Sequence, residues 1–200
     1  MSAQQIMETA EFKRCAEFHG HVCPGLSIGF RAARAALERL KESRSEDEEI
    51  VAVVENDSCY VDAVQVLTGC TFGKGNFIYK DHGKMVLTLL SRNTGQGVRV
   101  ALRPGAFAPD ETHLSLLHKV MSGKAGPDET KRFHELHLKR SCDVLEMPDD
   151  ELFIVKAVKM ALPGKAGIEP SEPCSRCGES AMRTKLENKD GLKVCRDCLE

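Results

Sequence analysis

His19, His21 and Cys23, in the run FHGHVCPG (residues 18–25), place two imidazoles and a thiol at alternate positions ahead of a proline. In an extended segment alternate residues share a face, so all three can point into one pocket. Pro24 suits the first position of a helix, which makes Cys23 its N-cap, where the helix's positive end favours a thiolate. Cys59 follows the capping run NDS and opens another helix, with the same electrostatic help expected. Two thiols at two helix openings, with imidazoles beside one of them, suit either a metal ion or thiol chemistry with a histidine base. Asp62 and Gln65 follow Cys59 by threes on one helix face, where they can orient a ligand. Beyond them the turn GCTFGKGN, with Cys70 and Lys74, can aim backbone N–H groups and an ammonium at an anion. It lacks the residue order of a P-loop.

The strongest chemical signal lies at the other end. Cys174 and Cys177, seventeen intervening residues, then Cys195 and Cys198 give the C-x2-C spacing of a zinc ribbon. Two such knuckles supply four thiolates in a tetrahedron, leaving no position for a substrate, so this site reads as structural. Metal binding worth on the order of 10 kcal/mol can fold a segment with almost no core. Seven basic and seven acidic residues balance between Lys165 and Glu200, and no aromatic residue is present to stack on a base. Nucleic-acid affinity needs a surplus of cations, so the ribbon is expected to contact protein instead.

These sites need elements to hold them. Residues 3–18 read as a helix, and a second runs from Pro24 with a small-residue face of Gly25, Gly29, Ala32 and Ala36. IVAVVE (50–55) reads as a buried strand, and CYVDAVQVLTG as a helix closed by Gly69. NFIYKD and KMVLTLLS flank a His-Gly pair and read as a hairpin. GVRVAL and LFIVKAVKM read as strands, and residues 109–122 and 127–146 as helices, each opening with proline. Strands and helices mix without a regular βαβ rhythm, so the fold class is α+β, with a small C-terminal zinc-ribbon module. The boundaries are residues 1–162 for the α+β domain, 163–173 for a linker with three prolines and two glycines, and 174–200 for the ribbon.

Composition narrows the function classes. With 42% apolar residues the chain can bury a core, and a net charge of −2 gives no global pull toward nucleic acid or anionic lipid. No apolar run is long enough to span a membrane. The N-terminus lacks a signal peptide's pattern, so a cytoplasmic location is expected. Nine cysteines then imply metal-bound or free thiols. Cys15 and Cys142 read as core residues. His82, His113, His118, His134 and His137 read as solvated helix or loop residues.

The stretches FHGHVCPGLSIGFRAA, DSCYVDAVQVLTGCTFGKGNFIYKDHGK and CSRCGE…CRDC resemble the FmdE family. That family is named for a component of formylmethanofuran dehydrogenase, a molybdenum or tungsten enzyme of methanogens. The resemblance covers roughly residues 12–103 and the ribbon. It implies an α+β domain, commonly dimeric, in which His21, Cys23 and Cys59 line one cavity. His19, Asp62, Gln65, Cys70 and Lys74 match motif positions as a supporting shell. Nothing in the chain resembles a molybdopterin-binding catalytic polypeptide, so no complete redox active site is evident.

The resulting expectation is a homodimeric metal- and thiol-site protein, accessory to a molybdenum or tungsten redox or C1 enzyme. His21, Cys23 and Cys59 are the expected ligands of a divalent metal, with a structural zinc on the four C-terminal cysteines. One rival is a stand-alone enzyme using Cys23 as nucleophile and His21 as base, or metal-assisted catalysis. The other is a ribbon adaptor for protein or nucleic acid.

Overall fold

A computed structural model describes residues 1–108 and 110–199. Its contacts divide the chain into two compact units, one from Met1 to Lys165 and one from Ala166 onward.

The first unit runs α1 (Ala3–Met7), α2 (Ala10–His19), α3 (Pro24–Leu40), β1 (Ile50–Val54), α4 (Tyr60–Thr68), β2 (Phe77–Tyr79), β3 (Val86–Ser91), β4 (Gly97–Leu102), α5 (Glu111–Met121), α6 (Pro127–Glu146), α7 (Asp149–Leu152) and β5 (Phe153–Val158). The strands form one sheet in the order β2-β1-β3-β4-β5. β1 and β2 are parallel, and the other neighbours antiparallel. The fold is α+β, as its mixed pattern implies.

Every residue of β1 is buried. Alternation divides its side chains between the faces of the sheet. Ile50, Ala52 and Val54 join Leu87, Leu89 and the α3 residues Leu26, Ile28 and Phe30 in the main core. Val51 and Val53 pack with Leu90, Ile78 and Leu162 in a smaller cluster.

Three elements differ from the sequence reading. The helix expected over residues 3–18 is two, because Thr9 accepts from the Phe12 N–H at 3.2 Å and caps a fresh start. The hairpin expected across the His82–Gly83 pair does not form. β2 pairs with β1 in parallel, and β3 pairs with the other edge of β1. The connection crosses the end of β1, where Lys80 N donates to Val54 O and Lys84 N to Glu55 O. Finally, α5 starts at Glu111 behind an Asp110 cap, while Pro109, expected to open it, lies outside the described residues.

The small-residue face of α3 is used within the fold rather than left for a partner. Ala32, Ala33 and Ala36 are fully buried. A Cβ on Gly29 would lie 2.1 Å from the Tyr60 carbonyl oxygen, so the absent side chain is what lets α3 approach the start of α4. Gly29→Ala is therefore expected to destabilise the first unit by about 2–3 kcal/mol, since the obstruction is backbone. Urea unfolding of the variant against wild type measures this.

In the second unit β6 (Ser171–Pro173) pairs with β7 (Ser180–Met182), and β8 (Leu186–Lys189) with β9 (Leu192–Cys195). The first of these strands begins inside the Pro-rich stretch read as linker. Val194 is the one fully buried aliphatic side chain among the described residues here, so hydrophobic burial contributes little.

Candidate metal centre

α2 ends at His19, and Gly20 takes the left-handed conformation (φ 91°) that reverses the chain. His21 and Val22 follow, and Cys23 (φ −143°, ψ 162°) caps α3 with Pro24 in the first turn. The reversal brings the ligand atoms of His19, His21 and Cys23 within 4.8 Å of one another. His19 Nε2 lies 3.7 Å from Cys23 Sγ, and the two imidazole centroids are 4.5 Å apart. On its other side His19 Nδ1 meets Asp62 Oδ2 at 2.7 Å. With the carboxylate accepting from Nδ1–H, the Nε2 lone pair faces the thiol, the arrangement in which a carboxylate orients a metal-ligating histidine.

Cys23 accepts from the Leu26 N–H at 3.3 Å, so the expected cap is present. The expected acidity is not. Burial pushes the thiol up to about 11, the Leu26 N–H opposes this less strongly, and neighbouring Cys59 raises it further. Desolvation of the anion outweighs the helix end here. Only a cation beside the sulfur would reverse that balance.

Cys59 caps α4 but in helical geometry (φ −46°, ψ −25°), and its thiol makes no cap hydrogen bond. It nevertheless adjoins Cys23: the Cys59 Cβ and the Cys23 Sγ both lie within 4 Å of where a Gly25 side chain would begin. The two helix openings thus converge. The tight trio, however, contains His19 where the sequence reading had Cys59, and Cys59 stands next to it.

The remaining expected residues lie elsewhere. Gln65 accepts from the Phe72 N–H at 3.4 Å. Cys70 is fully buried, and its thiol donates to the Ile50 carbonyl at 3.4 Å. Lys74 donates to the carbonyls of Ser45 and Glu46 at 3.4 and 3.2 Å. The glycine-rich turn therefore closes on its own protein, and its ammonium is engaged by the loop before β1.

Two histidines expected on solvated helix faces instead meet in the fold, His113 buried and His137 half-buried. His113 of α5 is 4% exposed, and its Nε2 lies 3.0 Å from His137 Nδ1 of α6. Phe133 stacks against both rings. His113 and Leu116, spaced by three, were a legible apolar stripe, but only tertiary structure pairs it with α6. Burial lowers both imidazoles; for His137, to about 4, with His113, His21 and His134 adding repulsion, and for His113 with Arg140 lowering and Asp110 opposing. Protonation then favours the unfolded chain, so this contact is stable above the ordinary value of 6.5 and weakens as pH falls toward about 4. Glu49 and Glu129, held below 4.5, weaken only in stronger acid. Thermal unfolding across that window should show an acid-sensitive loss that His137→Gln reduces.

In the second unit the sulfurs of Cys174, Cys177, Cys195 and Cys198 lie within 4.8 Å of one another. Cys174 accepts from the N–H groups of Arg176 at 3.4 Å and Cys195 at 3.3 Å, the hydrogen bonding of a knuckle. Backbone donors, with that of Cys177 foremost, hold its thiol down at about 6, whereas the neighbouring thiols of Cys195 and Cys177 push Cys198 up to about 12. Four sulfurs this close cannot all ionise alone, and a bound cation is what lets them. The donor set fits a metal ion.

Fold and sites together define an α+β domain with a sulfur–imidazole cluster, carrying a four-cysteine metal module. The family model described as FmdE, molybdenum formylmethanofuran dehydrogenase operon, matches residues 18–154, and the chain belongs to the FmdE family. It is 38% identical over 192 residues to a protein of Archaeoglobus fulgidus named as a probable S-adenosyl-L-methionine-binding protein. That match takes in 92% of this chain and 51% of the relative, so the chain spans about half that protein's length. Among solved structures, a tungsten formylmethanofuran dehydrogenase FmdE-like protein from Syntrophus aciditrophicus matches with a TM-score of 0.64 at 24% identity, over 100% of this chain and 92% of that one. Among the described residues no helix is long and apolar enough to cross a membrane.

Proposed function

We infer that the chain is a cytoplasmic metal-site protein that serves a molybdenum or tungsten redox or C1 enzyme. Its N-terminal cluster holds an exchangeable divalent ion, and its C-terminal cysteines hold a structural zinc. His19 Nε2, His21 and Cys23 are the ligands, Cys59 is a neighbouring thiol within reach of the same ion, and Asp62 positions His19. Three protein ligands leave a position for water or a small substrate, and the metal there supplies a Lewis acid.

The observation that carries this reading is the 2.7 Å contact between Asp62 and His19 behind a trio of ligand atoms within 4.8 Å. A carboxylate so placed fixes the His19 tautomer that leaves Nε2 free to ligate. Asp62→Asn is therefore expected to weaken zinc at the N-terminal site by about 10- to 100-fold, as measured by competition with a chromophoric chelator. Unchanged affinity would remove the reading's support. For the accessory role, a complex captured from the native cells should contain molybdenum or tungsten, and a complex lacking both contradicts it.

The nucleophile reading fares worse. It needs a thiolate at Cys23, and burial together with the neighbouring Cys59 thiol disfavours that ionisation.

A further inference from the structure

We propose that the cleft between Phe18 and Phe72 is a binding site for a heteroaromatic small molecule bearing an anionic group. The proposal goes beyond the metal reading and rests on the cleft alone. The cavity measures about 560 Å³, within the roughly 300–1,000 Å³ of small-molecule sites.

Its walls explain the ligand class. Phe18 is 61% and Phe72 81% exposed, whereas Phe12 and Phe30 are fully buried in the core. Exposed rings beside a concavity suit a flat partner, because stacking gains more than burial alone. Arg14 and Arg44 line the same cleft. Arg14 has no carboxylate partner among the described residues. Arg44 donates from Nε to the Val66 carbonyl at 3.1 Å, which ties the guanidinium to α4 through Nε and leaves the Nη groups outside that bond. Two guanidiniums at the rim of an apolar cleft recognise carboxylate or phosphate. Gln65 gives its Oε1 to the Phe72 N–H, so its amide NH₂ is the group left to donate to an acceptor on the ring.

The position adds meaning. Phe18 and Gln65 sit on α2 and α4, the helices that carry His19 and Asp62. A ligand in the cleft lies against the two elements that build the metal cluster.

The test is calorimetry on the full metal-loaded chain with AMP, adenosine, ribose 5-phosphate and quinoline-2-carboxylate. AMP is expected to bind one per chain, with adenosine and ribose 5-phosphate each at least about tenfold weaker, since one lacks the charge and the other the ring. Comparable binding of quinoline-2-carboxylate would show that the anion is read as charge, and its failure beside AMP that phosphate is required. Phe72→Ala, at an exposed position that does not support the core, should weaken AMP by about tenfold or more. Arg14→Gln with Arg44→Gln should erase the preference for AMP over adenosine. Cys23→Ser, which disturbs the metal cluster only, should leave AMP binding in place, so failure of the metal reading and failure of this one are distinct. The proposal is overturned if neither AMP nor quinoline-2-carboxylate binds at millimolar concentration, or if Phe72→Ala binds AMP as wild type does. It is equally overturned if Phe72→Ala instead converts a dimer to a monomer with no ligand bound by either protein, which would make the cleft an interface between copies.

Discussion

Cys174→Ser is expected to abolish metal binding by the four-cysteine cluster and to unfold the C-terminal unit, leaving the first unit intact. The expected loss is large because nothing else replaces the metal. Metal coordination by such modules is worth on the order of 10 kcal/mol, whereas the described residues of the unit include one fully buried aliphatic side chain, Val194, and two short hairpins. Its ion pairs, such as Lys193–Glu172, are exposed and contribute little. The variant should bind one metal fewer per chain, and protease should cleave within residues 166–199 while sparing residues 1–165. A protected C-terminal unit in the variant would mean that backbone pairing alone folds it.

Cys23→Ser produces the largest effect at the other site. Sulfur is its softest donor, and the serine hydroxyl that replaces it is a poor ligand for zinc. Zinc affinity there should fall by more than about a hundredfold, beyond the range expected for losing a positioning carboxylate. Without metal the stability should change little, because serine keeps an acceptor for the Leu26 N–H at the start of α3, whereas the stabilisation that zinc adds to the wild type should be lost. Cys59→Ser separates the two ligand sets. If the ion sits on His19, His21 and Cys23, that variant loses less affinity than Cys23→Ser; an equal loss would place Cys59 among the obligatory ligands and His19 behind it. Equilibrium zinc competition on the three proteins gives the comparison.

Much of this architecture was legible in residues that act locally. Pro24 after Cys23, Gly69 after Thr68, and the unbroken β-branched run of β1 each determine a nearby backbone conformation, and the structure has α3, the end of α4 and β1 where those signals lie. The four-cysteine spacing is local in the same sense. What was not legible depends on partners distant in sequence. The parallel pairing of β2 with β1 turns on where a short connection crosses the sheet, which strand periodicity does not encode. Lys74 looked available to an anion because its acceptors, the Ser45 and Glu46 carbonyls, lie nearly thirty residues earlier. His113 and His137 looked solvated because each helix shows only its own stripe, and the pairing of the stripes is tertiary. The trio of His19, His21 and Cys23 was itself legible in their alternate spacing; what the spacing left open was whether His19 or Cys59 completes the ligand set. Gly20's left-handed turn folds α2 back toward Cys23, and spacing alone does not say how far such a turn reaches.

Anomalous diffraction from crystals of the metal-loaded full chain, collected across the zinc edge, tests the central claim most directly. Two peaks per chain are predicted, one among Cys174, Cys177, Cys195 and Cys198, the other touching Cys23 Sγ with imidazole nitrogens of His19 and His21 around it. A single peak at the four cysteines, with the N-terminal trio holding no ion at saturating zinc, would contradict the account.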